Sequence, residues 1–314
     1  MAAPFRITGY TFDAIDVVLV RLEKDGRVGR GEAFGVYYRN ESAASILKQI
    51  EELRTTIEDG ISRDVLQKVL PPGGARNAID CALWDLEAKL RGRSAWQMAG
   101  LEMPRPLVTT FTCGADEPKS MAAASRRYAQ ARAIKLKLIG EEIDAERVRA
   151  VREARPDVWL SVDANQGFTP VSLERLMPVL LQTQVALIEQ PFPIGQDALL
   201  DGFHSPIPIA ADESVQDRSD LPGLVGRFQT VNIKLDKCGG LTEALAMVRA
   251  TRALGLEAMV GNMFGTSLAM APAFLVGQLC SVVDLDGAVD LPSDRDHPVV
   301  YTEGRITCLK ILWG

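Results

Sequence analysis

From about residue 107 onward, short β-branched apolar runs alternate with longer stretches of helical amphipathicity. The runs fall at residues 107–111, 134–138, 160–163, 186–189, 207–212, 231–234, 258–261 and 282–286. They recur roughly every 22–27 residues, the length of a βα unit. Nearly every run ends in polar or charged residues. Eight such runs with helices between most of them predict an α/β fold, a TIM-type (β/α)7β barrel over residues 106–291. An open Rossmann sheet would carry Gly-x-Gly-x-x-Gly after its first strand, and no such motif is present. Upstream the pattern differs. Residues 14–23 read as a strand, Asp25-Gly26 as a hairpin turn and residues 28–34 as the returning strand. Residues 42–58 and 62–70 read as helices, and Pro71-Pro72-Gly73-Gly74 breaks the chain. Residues 77–90 then carry Ile79, Leu83, Leu86 and Leu90 at helical spacing. Residues 1–105 thus predict a smaller α+β capping domain. The segment 292–314, with strand character over 299–312, is expected to leave the barrel and pack on it.

In such a barrel the chemistry sits at the C-terminal ends of the strands. Those ends carry Lys135 and Lys137 on the second run, Asp163 on the third, Glu189 on the fourth and Asp212 on the fifth. Lys234 ends the sixth, and Asp284 and Asp286 end the eighth. Strand ends rarely bury such residues without partners. Asp163, Glu189 and Asp212 on three adjacent strands can converge on one point. An all-oxygen donor set without histidine or cysteine fits Mg²⁺, with Mn²⁺ as the alternative. Lys135 and Lys137 are two residues apart, so both leave the same face of their strand. The second and sixth strands of an eight-stranded barrel stand opposite each other. Lys137 and Lys234 can therefore approach one substrate from opposite sides, as a 1,1-proton transfer requires. A base near neutral pH needs a lysine pKa well below about 10.4. A second ammonium at Lys135 and a nearby dication would push it that way.

The motifs Ile134-Lys135-Leu136-Lys137, Val162-Asp163-Ala164-Asn165, Ile188-Glu189-Gln190-Pro191, Ala211-Asp212-Glu213-Ser214 and Val231-Asn232-Ile233-Lys234 resemble, in order, those of the muconate-lactonizing-enzyme subgroup of the enolase superfamily. The resemblance runs from about Pro4 to the end of the chain. Within the subgroup the chain looks most like the dipeptide epimerases, of which L-Ala-D/L-Glu epimerase is the type. A lysine base beside Mg²⁺ is an established pattern of enolase-superfamily sites. The resemblance implies one Mg²⁺ per subunit on Asp163, Glu189 and Asp212, and Lys137 and Lys234 as the acid/base pair. It also implies that Lys135 assists at the substrate carboxylate, and that Asp284 and Asp286 in Asp284-Leu285-Asp286-Gly287 hold the free ammonium of a dipeptide. Family members usually begin with a strand before the segment resembling Pro4-Phe5-Arg6-Ile7-Thr8, and here that strand is essentially missing. The glutamate-directed enzymes carry an arginine in the loop that corresponds to residues 8–13. Here the loop reads Thr8-Gly9-Tyr10-Thr11-Phe12-Asp13, with no cation. Tyr10, Phe12, Tyr37 and Tyr38 predict an apolar or aromatic wall and a preference other than Glu, while Asp13 leaves room for a cationic side chain. The alternative on the same frame is an N-acylamino-acid racemase or o-succinylbenzoate synthase. Those substrates lack a free ammonium, so the aspartate pair argues against them.

Composition narrows the partners. The chain has 314 residues, 47% hydrophobic and 24% charged, and a net charge of −6. That charge gives no reason to expect nucleic acid or an anionic membrane. No apolar run reaches a membrane span and no signal-peptide pattern opens the chain. Five scattered cysteines without a C-x-x-C read as reduced thiols in cytoplasm. His204 and His297, the two histidines, lie in proline-bearing loops and read as surface residues. The Lys237-Cys238-Gly239-Gly240 stretch reads as a tight βα turn. The expected partner is a small dipeptide, and a homo-oligomer is left open.

Overall fold

A computed structural model describes residues 5–7, 10–12, 14–289, 291–309 and 311–314. Positions 8, 9 and 13 of the specificity loop lie outside the described residues. Two short strands, β1 (Phe5–Ile7) and β2 (Tyr10–Phe12), pair antiparallel. The predicted hairpin is β3 (Val18–Lys24) and β4 (Arg27–Ala33), turning at Asp25-Gly26, both with positive φ. Five helices follow: α1 (Ala43–Glu52), α2 (Arg54–Glu58), α3 (Arg63–Val69), α4 (Gly74–Arg91) and α5 (Ala95–Met98). The single helix expected over 42–58 is thus two, broken at Leu53, whose N–H turns back to Ile50 O (3.1 Å). The long α4 lies directly on the hairpin. A Cβ at Gly31 would stand 2.1 Å from Ala78 O, so only glycine admits this approach.

The second part alternates as the pattern predicts. Its elements are β5 (Leu107–Val108), β6 (Thr110–Cys113), α6 (Pro118–Arg127), β7 (Ala133–Lys137), α7 (Asp144–Ala154), β8 (Trp159–Asp163), α8 (Pro170–Gln182) and β9 (Val185–Glu189). They continue with β10 (Ile209–Ala211), β11 (Thr230–Lys234), α9 (Leu235–Cys238), α10 (Leu241–Ala253), β12 (Glu257–Gly261), α11 (Ser267–Gly277) and β13 (Val282–Asp284). β6 through β13 form one eight-stranded parallel sheet in sequence order. It curls until the first and last strands meet through side chains. Leu285 N–H donates to Thr109 Oγ1 (2.8 Å), and the Thr110 hydroxyl donates to Asp284. Among the described residues no α-helix lies between β9 and β10 or between β10 and β11. Only 3-10 turns at Asp197–Leu200 and Leu221–Leu224 cross there.

One strand expectation changes. The run 107–111 is not one strand. It divides at Thr109, whose N–H donates to Gly304 O (3.2 Å), so β5 pairs antiparallel with the C-terminal segment instead of the barrel. That segment forms β14 (Val300–Thr302) and β15 (Arg305–Thr307), and β14-β15-β5 is a separate sheet. The segment still reaches the first unit at both its ends, beginning with Arg295, whose guanidinium donates to Glu32 Oε2 of β4 (2.6 Å). Trp313 Nε1 donates to Arg30 O (3.0 Å) and Cys81 O (3.2 Å), and Gly314 N–H to Asp85 (2.9 Å).

The turn after α9 is where α4 meets the barrel. Gly239 and Gly240 have φ of +79° and +113°. Arg76 on α4 donates to Cys238 O (2.6 Å), while Asp80 accepts from Thr242 N–H (2.9 Å) and its hydroxyl (2.6 Å). A Cβ at Gly239 would sit 2.2 Å from Arg76 Nε. Gly239→Ala is therefore expected to lower unfolding stability by about 1–3 kcal/mol through backbone strain and overpacking. Urea denaturation checks this, and a midpoint equal to wild type would contradict it. His204 and His297 are exposed, and all five cysteines are free, three of them buried. No helix among the described residues is long and apolar enough to cross a membrane.

Candidate active site

Strand alternation carries every second side chain inward, and the last inward positions bear the charges. Lys135, Lys137, Asp163, Glu189, Asp212, Lys234 and Asp284 are all buried, each less than one-tenth exposed. Asp286 stands just past the end of β13 and is half-buried. A cavity of about 920 Å³ opens over them, lined by Lys135, Lys137, Lys234, Asn165, Asp284 and Asp286 among others. β7 and β11 are four strands apart in the eight-stranded order, so Lys137 and Lys234 come from opposite walls.

Each lysine is held by an acid. Lys137 Nζ donates to Asp163 Oδ2 (2.6 Å), and Lys234 Nζ to Asp212 Oδ2 (2.5 Å). Lys135 donates to Asp284 and lies 3.6 Å from Glu189 Oε2 and 3.8 Å from Asp163 Oδ2. It therefore ties the Asp284 corner to the acids of β8 and β9. Burial alone would lower Lys135 and Lys234. The charges of Asp284, Glu189 and Asp163 on Lys135, and of Asp212, Glu189 and Glu213 on Lys234, outweigh it and raise both well above the ordinary lysine value. The expected lowering of the base lysine counts a dication together with the Lys135 ammonium, whereas the packed carboxylates by themselves act the other way.

Burial, the Asp163 charge and that of Asp212 push Glu189 up to about 8, against the opposing pull of Lys135. Burial then Asp212 and Asp163 push Glu213 up to about 7. Burial would raise Asp212 too, yet Lys234 and Lys237 hold it well below the usual carboxylate range. The three acids on β8 to β10 thus feel one another across a shared buried space. Buried oxygens of Asn165, Glu189, Glu213 and Asn232 have no hydrogen-bond donor. Asp163 and Asp212 each turn an oxygen onto a lysine, and among the described residues no three acid, imidazole or thiolate groups are drawn together as ligands. The chemistry of the set nevertheless fits a hard dication: three buried carboxylates, one with an oxygen that accepts nothing, and no nitrogen or sulfur donor.

Several residues escaped the sequence reading. Lys237, fully buried, donates to Asp212 Oδ1 (2.6 Å), to Asn232 O (2.9 Å) and to Asp212 O. Asn232 Nδ2 donates to Glu189 Oε1 (2.6 Å), and Asn165 Nδ2 to Glu213 Oε1 (3.2 Å). Asn232 lies two residues before Lys234 and shares its face, a signal that alternation offers directly. Thr110 and Thr112 hold the far corner. The Thr110 hydroxyl engages Asp284, and Thr112 N–H donates to Asp286 Oδ2 (2.7 Å). Despite burial, Lys135 keeps Asp284 below its ordinary value, whereas burial and the Asp284 charge push Asp286 up to about 6.

The aromatic residues of the loop do gather, with a difference. Tyr10 meets Tyr37 at 4.6 Å between ring centroids, and Phe12 meets Tyr37 at 5.1 Å and Phe264 at 4.8 Å. Phe34 closes the group at 5.4 Å from Phe264, and Tyr38 stacks edge-on against Tyr37. Tyr37 and Phe264 line the cavity, while Tyr10 and Phe12 pack on them as a second layer. Phe264 comes from the loop after β12.

Residues 119–308 match the family described as enolase C-terminal domain-like, and residues 1–100 match the mandelate racemase / muconate lactonizing enzyme N-terminal domain. The chain is 40% identical over 304 residues to the L-Ala-D/L-Glu epimerase of Escherichia coli K12, covering 96% of this chain and 95% of that one. It is also 40% identical over 278 residues to an N-acetyl-D-glutamate racemase from a Pseudoalteromonas species, covering 88% of each. A dipeptide epimerase from Enterococcus faecalis, solved with Mg and the dipeptide L-Leu-L-Tyr, superposes with a TM-score of 0.88 at 30% identity, over 97% of this chain and 92% of that one. The two matched families together span nearly the whole chain, and the protein belongs to the enolase superfamily, in its mandelate racemase and muconate-lactonizing branch.

Proposed function

We propose that the protein is a Mg²⁺-dependent dipeptide epimerase that inverts the α-carbon of the C-terminal residue by two-base proton transfer. The observation that carries this reading is the placement of Lys137 and Lys234 on opposite walls of one cavity that the Asp284/Asp286 corner also lines, with the three buried carboxylates Asp163, Glu189 and Asp212 packed against its lysines. Asp163, Glu189 and Asp212 would hold the ion, with Lys237 and Asn232 positioning two of them. A dication there supplies positive charge against which a substrate carboxylate can accept more negative charge as its α-proton leaves. With their own charge matched, Asp163, Glu189 and Asp212 hold the lysines less firmly as ammonium ions, which favours the neutral form that a base needs. Lys137 takes or gives the proton on one face of the α-carbon and Lys234 on the other. Lys135 steadies the carboxylate end, and Asp284 with Asp286 takes the dipeptide ammonium. The aromatic roof of Tyr37 and Phe264, backed by Tyr10 and Phe12 without a cation among them, favours an apolar or aromatic side chain over Glu at the inverted residue.

The racemase relative keeps N-acylamino acids as the second reading. Incubating L,L-dipeptides and N-acylamino acids in D₂O with Mg²⁺, followed by mass spectrometry, separates the two. Deuterium is expected at the C-terminal α-carbon of dipeptides such as Ala-Leu and Ala-Phe. Exchange into N-acylamino acids alone would overturn the dipeptide reading. The ammonium anchor also sets a pH dependence. A carboxyl with a raised pKa of about 6 is an anion only above that pH. For dipeptides, kcat/KM is expected to fall roughly tenfold per pH unit below that point as Asp286 takes a proton. Asp286→Asn should remove this limb. A limb that persists unchanged in the variant would count against the role.

A further inference from the structure

Past Asp284 and Asp286 the cavity continues into a lobe on the β6–α6 side, away from β8 to β11 where the acids of the reaction centre stand. Cys113, Ala124, Arg127, Val289 and Leu291 wall it, with Asp116 at its mouth. The wall is mostly small and apolar, and Arg127 is its single cation among the described residues. Arg126 and Arg127 both sit in the last turn of α6, and both are exposed, yet only Arg127 faces the cavity. No ion-pair or hydrogen-bond partner engages Arg127 among the described residues. Asp116 is differently placed, since its Oδ1 accepts from Glu117 N–H (2.7 Å) at the start of α6. Cys113, Asp286 and Arg127 all line the cavity, and beyond burial the Cys113 thiol feels the charges of Asp286, Arg127 and Arg155.

We propose that this lobe receives the side chain of the substrate's first residue, and that Arg127 makes it selective for a carboxylate there. The preferred class is a dipeptide with an acidic first residue, such as glutamyl, over its neutral amide isostere. The inference rests on the dipeptide reading above. With the substrate ammonium on Asp286, the first α-carbon stands at the entrance to the lobe, and a side chain two or three carbons long reaches toward the guanidinium. A lysyl first residue meets the same cation and is disfavoured.

The test compares kcat/KM for α-deuterium exchange of Glu-Leu, Gln-Leu, Lys-Leu and Ala-Leu at low salt, in wild type, Arg127→Ala and Arg127→Glu. The expected wild-type preference for Glu-Leu over Gln-Leu is about fivefold, the range of an ion pair at a solvent-exposed site. It should shrink with added salt. Arg127→Ala should bring the ratio to about one, and Arg127→Glu should turn the preference toward Lys-Leu. A ratio near one in wild type, with Ala-Leu still exchanged, overturns the lobe assignment and leaves epimerisation standing. So does a ratio that Arg127→Ala leaves unchanged. Absence of exchange in every dipeptide, Ala-Leu included, overturns both.

Discussion

Lys137→Ala and Lys234→Ala each lower the rate of dipeptide epimerisation by at least about 10³-fold, the loss expected when a positioned proton carrier is removed. Inversion needs a proton to leave one face and another to arrive on the opposite face, and neither lysine can do both from its own wall. The two losses should not add in the double variant, because each alone already breaks the sequence of steps. Chiral chromatography of a dipeptide incubated with each variant measures the effect. A variant that keeps a tenth of the wild-type rate would remove that lysine from the proposed pair. Folding should be little affected at Lys137, which has a single acid partner at 2.6 Å and lines the cavity.

Asp212→Ala removes about 3–5 kcal/mol of unfolding stability, besides abolishing activity, because two buried ammonium groups lose their counter-charge at once. Lys234 meets Asp212 Oδ2 at 2.5 Å and Lys237 meets Oδ1 at 2.6 Å, and both lysines are buried. Burial already pulls Lys237 below its ordinary value even with Asp212 beside it. Without the carboxylate, Lys237 keeps only the two backbone carbonyls, and the usual response of such a group is to shed its proton. Asp212→Asn retains an acceptor oxygen and should lose less. Urea denaturation with chelator present reads the difference. A loss below about 1 kcal/mol for the alanine variant would mean that the lysines relax into solvent, contrary to the packed arrangement described above.

The strand ends were legible because barrel geometry puts chemistry there and because Lys, Asp and Glu interrupt apolar runs so visibly. Lys135, Lys137, Asp163, Glu189, Asp212, Lys234, Asp284 and Asp286 all face the one cavity or adjoin it. Lys237 was not legible, since its reach back to Asp212 depends on the short turn of α9 and not on any strand period. The roof was only half legible. Tyr10, Phe12 and Tyr37 all belong to the first unit, but Phe264 arrives from the loop after β12, and it shares the lining with Tyr37. The break at Thr109 and the break at Leu53 follow from hydrogen bonds that local propensity does not encode.

Stereospecific exchange tests the proposed two-base arrangement most directly. Each single-lysine variant is incubated in D₂O with the L,L- and the L,D-form of one dipeptide, and α-deuterium is followed by mass spectrometry. Lys137→Ala should exchange one epimer, Lys234→Ala the other, and neither should interconvert them. Exchange of the same epimer by both variants would place the two ammonium groups on one side of the substrate, and inversion would then need a different proton carrier.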